Sequence, residues 1–296
     1  MTDPTEPTLV DPRTRYPQPP YPSKAQKPPG LASAMDPPAD HGETSYVGNN
    51  RLAGLTALVT GGDSGIGRAV AIAFGREGAN VLISYLNEEE DALETEKWVR
   101  EAGVDAISVA GDIADPAHCR KLVETCVSEF GGIDILVNNA AHQRTKESVE
   151  EFDTDDFERT FRVNVFGMFN LCKAAMEHMK PGGSIVNTAS IQAQDPSGPL
   201  LAYASSKGAI ITFTRGLADL AIEQGIRVNA VAPGPIWTPL IPATMPQEKV
   251  EGFGGDTPIG RAGQPAELAP TFVLLASKES SYITGEVIAV TGGRLM

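Results

Sequence analysis

Apolar positions along this chain fall into seven short runs rich in Val and Ile, separated by helix-length segments. The runs are "LTALVT", "NVLISY", "DAISVA", "DILVNNA", "GSIVNTAS", "IRVNAVAP" and "EVIAVTGG", all after residue 54. Short apolar strands that alternate with helices indicate a parallel sheet covered by helices on both faces. The pattern predicts an α/β fold built on a doubly wound, seven-stranded parallel sheet.

The first 50 residues follow a different pattern. Eleven of the 23 prolines lie in residues 1–45. Such a stretch favours extended polyproline II over a helix or a sheet interior. Tyr16, Tyr21, Leu31 and Met35 are apolar anchors that a plain spacer does not need. A disordered tail is the alternative, but we predict that the arm beyond its first ten or so residues is docked, adding stability and no catalytic group. The chain thus divides into an arm, residues 1–50, and one domain, residues 51–296.

Composition narrows the classes of function. The formal net charge is −14 and the pI about 4.7, so binding to nucleic acid or to a membrane surface is disfavoured. No segment approaches the roughly 20 apolar residues of a membrane helix, and the N-terminus lacks the apolar stretch of a signal peptide. The chain has three cysteines without C-x-x-C spacing and four scattered histidines, so no metal site is predicted. We interpret the cysteines as free thiols of a protein in a reducing cytoplasm.

A glycine-rich turn, "TGGDSGIG" at residues 60–67, ends the first strand and opens the first helix. The spacing of Gly61, Gly65 and Gly67 is not G-x-G-x-x-G. It is not a P-loop either, because Arg68-Ala69 stand where Lys-Ser/Thr is needed. Glycines still permit a tight turn close to a pyrophosphate, and a helix N-terminus offers free N–H groups. The turn therefore predicts a dinucleotide site.

Three further stretches end strands at the same carboxyl edge of the predicted sheet, where doubly wound folds bind ligands. Asp112 in "GDIAD" follows the third strand, and its carboxylate could accept a hydrogen bond from the adenine amino group. "NNAA", residues 138–141, ends the fourth strand with small residues that leave room for a cofactor. "APGPIWT", residues 232–238, ends the sixth strand.

Five motifs in this order and spacing resemble the single-domain branch of the short-chain dehydrogenase/reductase family. They are T-G-x-x-x-G-x-G at 60–67, N-N-A at 138–140, Ser190 thirteen residues before Tyr203, Y-x-x-x-K at 203–207 and P-G at 233–234. The resemblance covers residues 52–293. The proline-rich arm and "GGDSGIGRAVAIAF" resemble a subgroup of bacterial general-stress and plant glucose/ribitol-dehydrogenase-like members.

The resemblance implies a Rossmann-like, NAD(P)-dependent oxidoreductase acting on a small carbonyl or alcohol substrate. It implies a homotetramer paired through apolar helices at residues 155–180 and 202–224. The implied catalytic residues are Asn164, Ser190, Tyr203 and Lys207. The implied cofactor contacts are Gly61, Asp63, Ser64, Gly65, Ile66, Gly67, Tyr85, Leu86, Asp112, Ile113, Asn139, Ala140, Ala141, Tyr203, Lys207, Pro233, Gly234, Ile236 and Thr238.

The chain departs from the family pattern at two places. Ala141 stands where the family usually has glycine. The second strand ends in Tyr85-Leu86-Asn87, with neither the acid typical of NAD-specific members nor the nearby base typical of NADP-specific ones. The acidic run at residues 88–91 would repel a 2′-phosphate, and Arg68 is the one nearby base that could bind it. We expect NAD or NADP, with a lean to NAD.

Carbonyl reduction requires a proton donor as well as a hydride. Tyr203 is the natural acid/base, but a free tyrosine has a pKa near 10, and lowering it to about 7 takes about 4 kcal/mol. An ammonium at ~4 Å supplies about that much at an effective dielectric near 20. Helical i,i+4 spacing places Lys207 on the same face as Tyr203. Ser190 can donate to the substrate oxygen. A serine hydrolase is excluded, since no G-x-S-x-G surrounds Ser190.

Alternatives stay open for one residue, for the class of protein and for the substrate. Asn164 is either a solvent-facing helix residue or part of a helix distortion that holds a relay water against Lys207. The chain could be a non-catalytic dinucleotide-binding stress or scaffold protein. A sugar-nucleotide epimerase would need a C-terminal substrate domain, and the 89 residues after Lys207 leave no room for one. "IQAQDPSGPLL" and "TPLIPATMPQEKVEGFGGDTP" shape the substrate pocket, the second as a mobile lid. They do not identify the substrate.

Overall fold

A computed structural model describes residues 9–294 of the chain and contains one seven-stranded parallel sheet. The strand order is β3-β2-β1-β4-β5-β6-β7. Successive strands are added toward one edge of the sheet from β1 to β3 and toward the other edge from β4 to β7, so the order reverses between β1 and β4. The strands are β1 Thr56–Thr60, β2 Asn80–Tyr85, β3 Ala106–Ala110, β4 Ile135–Asn138, β5 Ser184–Thr188, β6 Arg227–Pro233 and β7 Val287–Val290. The predicted doubly wound, Rossmann-like sheet is confirmed, and the switch point between β1 and β4 is where such folds bind ligands.

Helices cover both faces of the sheet. The α-helices are α1 Gly65–Arg76, α2 Glu89–Arg100, α3 Pro116–Phe130, α4 Thr154–Phe161, α5 Met168–Met176, α6 Leu201–Ala221, α7 Leu240–Thr244, α8 Gln247–Glu251 and α9 Pro265–Ala276. Successive strand residues point to opposite faces. Leu58 and Leu82 pack with side chains of α3, α5 and α6, whereas Val59 and Ile83 pack with α1 and α9. Burial on both faces explains why the strands read as continuous apolar runs.

The predicted helix at 155–180 is interrupted by a π-helical segment. This segment, Arg162–Gly167, joins α4 to α5 and contains Asn164. Short π-helical segments are rare and frequently lie at functional sites. The side chain of Asn164 is buried, so the solvent-facing alternative is wrong and the expected helix distortion is confirmed.

The N-terminal arm packs on the domain although it has almost no regular structure. Within its described part, residues 9–50, the one regular element is a 3₁₀ turn at Ala32–Ala34. Tyr21 and Met35 are buried in a cluster with Trp237, and the Tyr21 and Trp237 rings lie 4.3 Å apart. Two of the four expected anchors are thus buried. Leu31 is 46% exposed, so its expected anchoring role is wrong, and Tyr16 is half-buried.

The predicted mobile lid is folded and covered by the arm. It contains α7 and α8, whose Ile241 and Val250 belong to the same buried cluster as Tyr21. The loop sequence did not reveal these two helices, because the apolar side chains that pack against them come from the arm, more than 200 residues earlier in the chain.

The three cysteines lie in the interior of the domain. Cys119, Cys126 and Cys172 are buried free thiols, and burial raises the pKa of each to about 12. Residues 9–294 contain no helix with the length and apolar character needed to cross a bilayer. The same residues hold no cluster of three His, Cys, Asp or Glu side chains suited to a metal ion.

Candidate active site

A cleft of about 480 Å³ opens at the carboxyl ends of the strands, across the switch point between β1 and β4. Its size falls within the roughly 300–1,000 Å³ of small-molecule and cofactor sites. The glycine turn, the loops after β2 to β6 and the start of α6 contribute its walls. The walls contain Ser190, Tyr203 and Lys207 and every expected cofactor contact except Gly67.

The glycine turn forms a cradle that side chains would fill. A Cβ on Gly61, whose φ is +60°, would lie 3.0 Å from the Cα of Ala140. A Cβ on Gly65, at φ +51°, would lie 3.0 Å from Thr238 Cγ2. Gly67 has a different role, since a Cβ there would meet the Gly61 carbonyl oxygen at 1.9 Å. Gly67 therefore does not line the cleft; its lack of a side chain allows α1 to pack closely against the glycine turn.

The N-terminus of α1 faces the cleft. Ser64 precedes the helix in extended conformation and makes no side-chain capping hydrogen bond. Backbone N–H groups at such an end, together with the positive end of the helix dipole, bind phosphate groups. These residues fit the pyrophosphate of a dinucleotide.

An acidic corner lies where β2 ends. Burial raises the pKa of Asp63 to about 6, and the nearby Glu88 adds to the shift. Glu88 is 7% exposed, and its Oε1 has no hydrogen-bond partner among residues 9–294. Arg68 donates from Nη2 to Asp91 Oδ1 at 3.1 Å and from Nε to the Asp63 carbonyl at 2.8 Å. Arg68 is buried and does not line the cleft, so the one base that could have bound a 2′-phosphate is not placed to do so.

The loop after β3 carries the residues expected at the adenine. Asp112 and Ile113 line the cleft. Asp112 Oδ2 accepts from Arg159 Nη1 at 2.6 Å, and Oδ1 accepts from the Ala114 N–H at 2.9 Å. Burial opposes ionisation of this carboxyl, but the bond from Arg159 outweighs it and lowers the pKa. Arg159 was missed from the sequence, where it is an ordinary basic residue on a helix.

Tyr203 and Lys207 lie together on the first turns of α6, as predicted. Tyr203 is partly exposed to the cleft, whereas Lys207 behind it is 2% exposed. Lys207 Nζ donates to the Thr188 carbonyl oxygen at 2.6 Å and lies 5.3 Å from the centre of the Tyr203 ring. Burial lowers the pKa of Lys207 to about 7.

The expected lowering of the Tyr203 pKa toward 7 is wrong for the chain's own groups. Burial raises the pKa of Tyr203 to about 12, and a hydrogen bond with Ser190 offsets this only in part. Removal from water disfavours the charged form of both partners, phenolate and ammonium.

Ser190 and Asn164 are placed by their local structure. Ser190 ends the stretch after β5 and caps a 3₁₀ turn, where its Oγ accepts from the Gln192 N–H at 3.2 Å. Asn164 Nδ2 donates to the His142 carbonyl at 3.0 Å and to Ser206 Oγ at 2.9 Å. Asn164 and Lys207 both line a small cavity of about 10 Å³ behind the cleft.

Asn138 and Asn139 have different roles at the end of β4. Asn139 lines the cleft and donates from Nδ2 to the Thr60 and Gly61 carbonyls at 3.0 and 3.1 Å. Asn138 points into the interior, where its Nδ2 donates to Asn187 Oδ1 at 2.9 Å. Ala141 lines the cleft in place of the usual glycine.

Several cleft residues carry no signal in the sequence. Gln143 Nε2 donates to Thr244 Oγ1 at 2.8 Å, a pair 101 positions apart. Arg144 and Gln192 line the same region, and Pro28 and Pro29 of the arm form part of the wall. Only the tertiary fold brings these residues to the site.

Comparisons with known proteins point to one family. A family model described as enoyl-(acyl carrier protein) reductase matches residues 61–294. General stress protein 39 of Bacillus subtilis is 50% identical over 268 residues, which are 90% of this chain and 94% of that protein. Glucose and ribitol dehydrogenase of Daucus carota is 46% identical over 281 residues, covering 93% of this chain and 97% of that protein.

A solved structure gives the same result. A short-chain dehydrogenase from Burkholderia cenocepacia in complex with NADP is 35% identical, with a TM-score of 0.77 over 82% of this chain and 98% of that one. Because that structure holds NADP, the comparison gives no support to the expected lean to NAD. Sequence, fold and site agree that this chain belongs to the short-chain dehydrogenase/reductase family, NAD(P)-dependent oxidoreductases of alcohol and carbonyl groups.

Proposed function

We propose that the cleft catalyses hydride exchange between NAD(P) and a small carbonyl or alcohol substrate, with Tyr203 as the general acid/base. The observation that carries this proposal is the buried Lys207 behind Tyr203, which faces the cleft together with Ser190. When bound, the nicotinamide supplies a hydride to the carbonyl carbon or accepts one from the alcohol carbon.

Tyr203 is the proton donor in the reducing direction. With a pKa of about 12 it is protonated throughout the physiological range and can give its phenolic proton to the carbonyl oxygen. In the oxidising direction Tyr203 first gives up its phenolic proton, and the resulting phenolate takes the proton of the alcohol. Ser190 orients the substrate oxygen through its hydroxyl group and stabilises the charge that develops there.

Lys207 stabilises the tyrosinate that proton donation leaves behind. Lys207 Nζ lies 5.3 Å from the centre of the ring, so its ammonium form attracts the negative charge of the tyrosinate. We also assign Lys207 a contact with the nicotinamide ribose. The cavity of about 10 Å³ shared by Asn164 and Lys207 has the volume of one water. We propose that it holds the water that reprotonates the site, with Asn164 as a positioning residue.

The proposed cofactor contacts follow the walls of the cleft. The glycine turn and the N-terminus of α1 hold the pyrophosphate, and the loop after β3 holds the adenine. Pro233, Gly234, Ile236 and Thr238, after β6, enclose the nicotinamide end. Each of these residues is where a doubly wound sheet binds its ligand.

The acidic corner at the end of β2 supports a preference for NAD over NADP. Asp63 and Glu88 line the cleft there, and no cation from β2, α2 or the described arm residues does so. The unpaired Glu88 Oε1 can accept a ribose hydroxyl, whereas a 2′-phosphate would meet two carboxylates.

Cofactor affinities test this preference. We expect tighter binding of NADH than of NADPH, and we expect Glu88→Gln to narrow the ratio of the two dissociation constants by about tenfold. Glu89→Gln, a neighbouring exposed glutamate, is the control and should leave the ratio unchanged. Tighter binding of NADPH by the unmodified protein would contradict the proposal.

We further propose a cytoplasmic homotetramer in which residues 1–50 form the arm and residues 51–296 the catalytic domain. Phe166 is 57% exposed and Phe169 46%, beside Phe213 of α6, which supports pairing of these helices across a two-fold axis. Light scattering at micromolar concentration tests the assembly, and a monomer would contradict it. The buried, free cysteines suit a reducing compartment.

A panel of aldehydes, ketones and sugars with NADH and NADPH tests the reaction itself. The proposal predicts cofactor oxidation with at least one carbonyl class and loss of that turnover in Ser190→Ala. A protein that binds the dinucleotide but turns over no carbonyl or alcohol would instead be the non-catalytic scaffold considered from the sequence.

A further inference from the structure

The N-terminal arm crosses the mouth of the cofactor cleft. Pro28 and Pro29 line the same cleft as the glycine turn and the end of β2. We propose that residues 26–32, which we call the strap, form the outer wall of the cofactor site and limit the rate at which cofactor leaves it. This inference rests on the proposed function, because it assumes that a dinucleotide occupies the cleft.

One end of the strap is fixed to the lid. The N–H of Gln26 donates to the Pro242 carbonyl of α7 at 2.9 Å. Gly30 lies directly on the residue before α7: a Cβ added there would be 2.7 Å from the Pro239 carbonyl oxygen and 3.1 Å from Ala243 Cβ. Gly30 is buried and has a φ of +92°. Only a residue without a side chain allows this close approach.

The other end of the strap is fixed to the opposite rim. The N–H of Ala32 donates to Asp91 Oδ2 at 2.8 Å in a buried contact. Asp91, in the first turn of α2, also holds Arg68, whose Nε reaches the Asp63 carbonyl of the glycine turn. A continuous set of polar contacts therefore joins the strap to the turn that cradles the pyrophosphate.

Further arm contacts hold the lid in place on either side of the strap. The Tyr21 N–H donates to the Glu251 carbonyl of α8 at 2.9 Å, and Gln247 Nε2 donates to the Ser23 carbonyl at 2.9 Å. Trp237 Nε1 donates to the Pro37 carbonyl at 2.8 Å. The lid is thus bound to the arm by main-chain as well as side-chain groups.

The consequence concerns release rather than chemistry. A dinucleotide lying between the glycine turn and Thr238 can leave past the strap only if the contacts at Pro242 or Asp91 break. Opening of lids limits turnover in many enzymes. Prolines at 28 and 29 reduce the entropy that the strap loses on closing, which favours the closed state.

The test compares two glycine substitutions. Gly30→Ala places a methyl group against Pro239, and we expect the dissociation rate of the reduced cofactor, measured by its fluorescence in stopped flow, to rise about tenfold. Gly103→Ala is the matched control: its φ is +85° and nothing lies within 4 Å of an added Cβ. It imposes similar backbone strain far from the strap. An unchanged dissociation rate in Gly30→Ala would overturn the proposal.

A second measurement uses the unmodified protein, in case Gly30→Ala does not fold. Lys24 is exposed just before the strap and precedes Ala25, a bond that trypsin can cleave. Saturating reduced cofactor should slow this cleavage several-fold by stabilising the closed strap, while cleavage of an unrelated peptide stays constant. Equal cleavage rates would overturn the strap alone. Absence of binding of both NADH and NADPH would overturn the proposed function as well.

Discussion

Asp63 is a single residue whose charged form destabilises the folded protein. Its carboxyl is buried in the glycine turn, and burial together with Glu88 raises its pKa from 3.8 to about 6. The folded chain therefore binds this proton more tightly than the unfolded chain. The resulting stabilisation is complete below pH 3.8 and is lost as the pH rises through 6. A buried carboxylate in a cofactor cleft is typical of a functional residue.

Asp63→Asn should therefore stabilise the protein at neutral and alkaline pH. We expect the free energy of unfolding at pH 8 to rise by about 1 to 3 kcal/mol, and the difference to vanish near pH 4. Urea denaturation at the two pH values measures it. Asp219→Asn, at an exposed position of α6, is the control. A destabilised Asp63→Asn at pH 8 would show that the carboxylate has a stabilising partner.

At the scale of elements, Glu77 joins the end of the arm to the end of α1. Its carboxylate accepts from the Tyr46 hydroxyl at 2.6 Å, from the Asn49 N–H at 2.8 Å and from the N–H and guanidinium of Arg51. Burial opposes ionisation of Glu77, but the bonds from Arg51 and Tyr46 outweigh it and lower the pKa to about 2. The carboxylate fixes the direction in which the arm leaves the domain.

Glu77→Gln should destabilise the fold in a pH-dependent way. Because the folded pKa is depressed, the stabilisation is present above pH 4.5 and is lost as the pH falls through 2. We expect a loss of about 3 kcal/mol at pH 7, measured by denaturant unfolding. Glu124→Gln, at an exposed position on α3, should change stability by less than about 0.5 kcal/mol. Equal stability of the two variants at pH 7 would contradict this role.

The elements were largely predictable because each strand is buried on both faces and bounded by turn residues. "NVLISY" is β2 without a shift, and the other strands begin or end within a few residues of their apolar runs. The glycine turn was readable for a similar reason, since its chemistry is local. The lid was not, because the side chains that order it come from Tyr21 and Met35 of the arm.

At the scale of the whole molecule, the sequence located the site but not its electrostatics. Motif order placed Ser190, Tyr203 and Lys207 in one cleft. Spacing alone could not supply the burial that raises the Tyr203 pKa, or the pairing of Arg68 with Asp91. The sequence also did not show that Pro28 and Pro29 line the cleft, because a proline-rich segment has no periodic pattern that indicates which surface it packs against.

The central claim is that Tyr203 transfers the proton, and Tyr203→Phe tests it most directly. The substitution removes one hydroxyl group and leaves the ring beside Lys207. We expect turnover with any accepted carbonyl to fall at least about 100-fold, as for loss of a general acid, while the dissociation constant of the cofactor changes less than about threefold. Turnover and cofactor fluorescence titration measure the two quantities on the same preparation. A Tyr203→Phe protein that keeps most of the wild-type kcat would contradict the account.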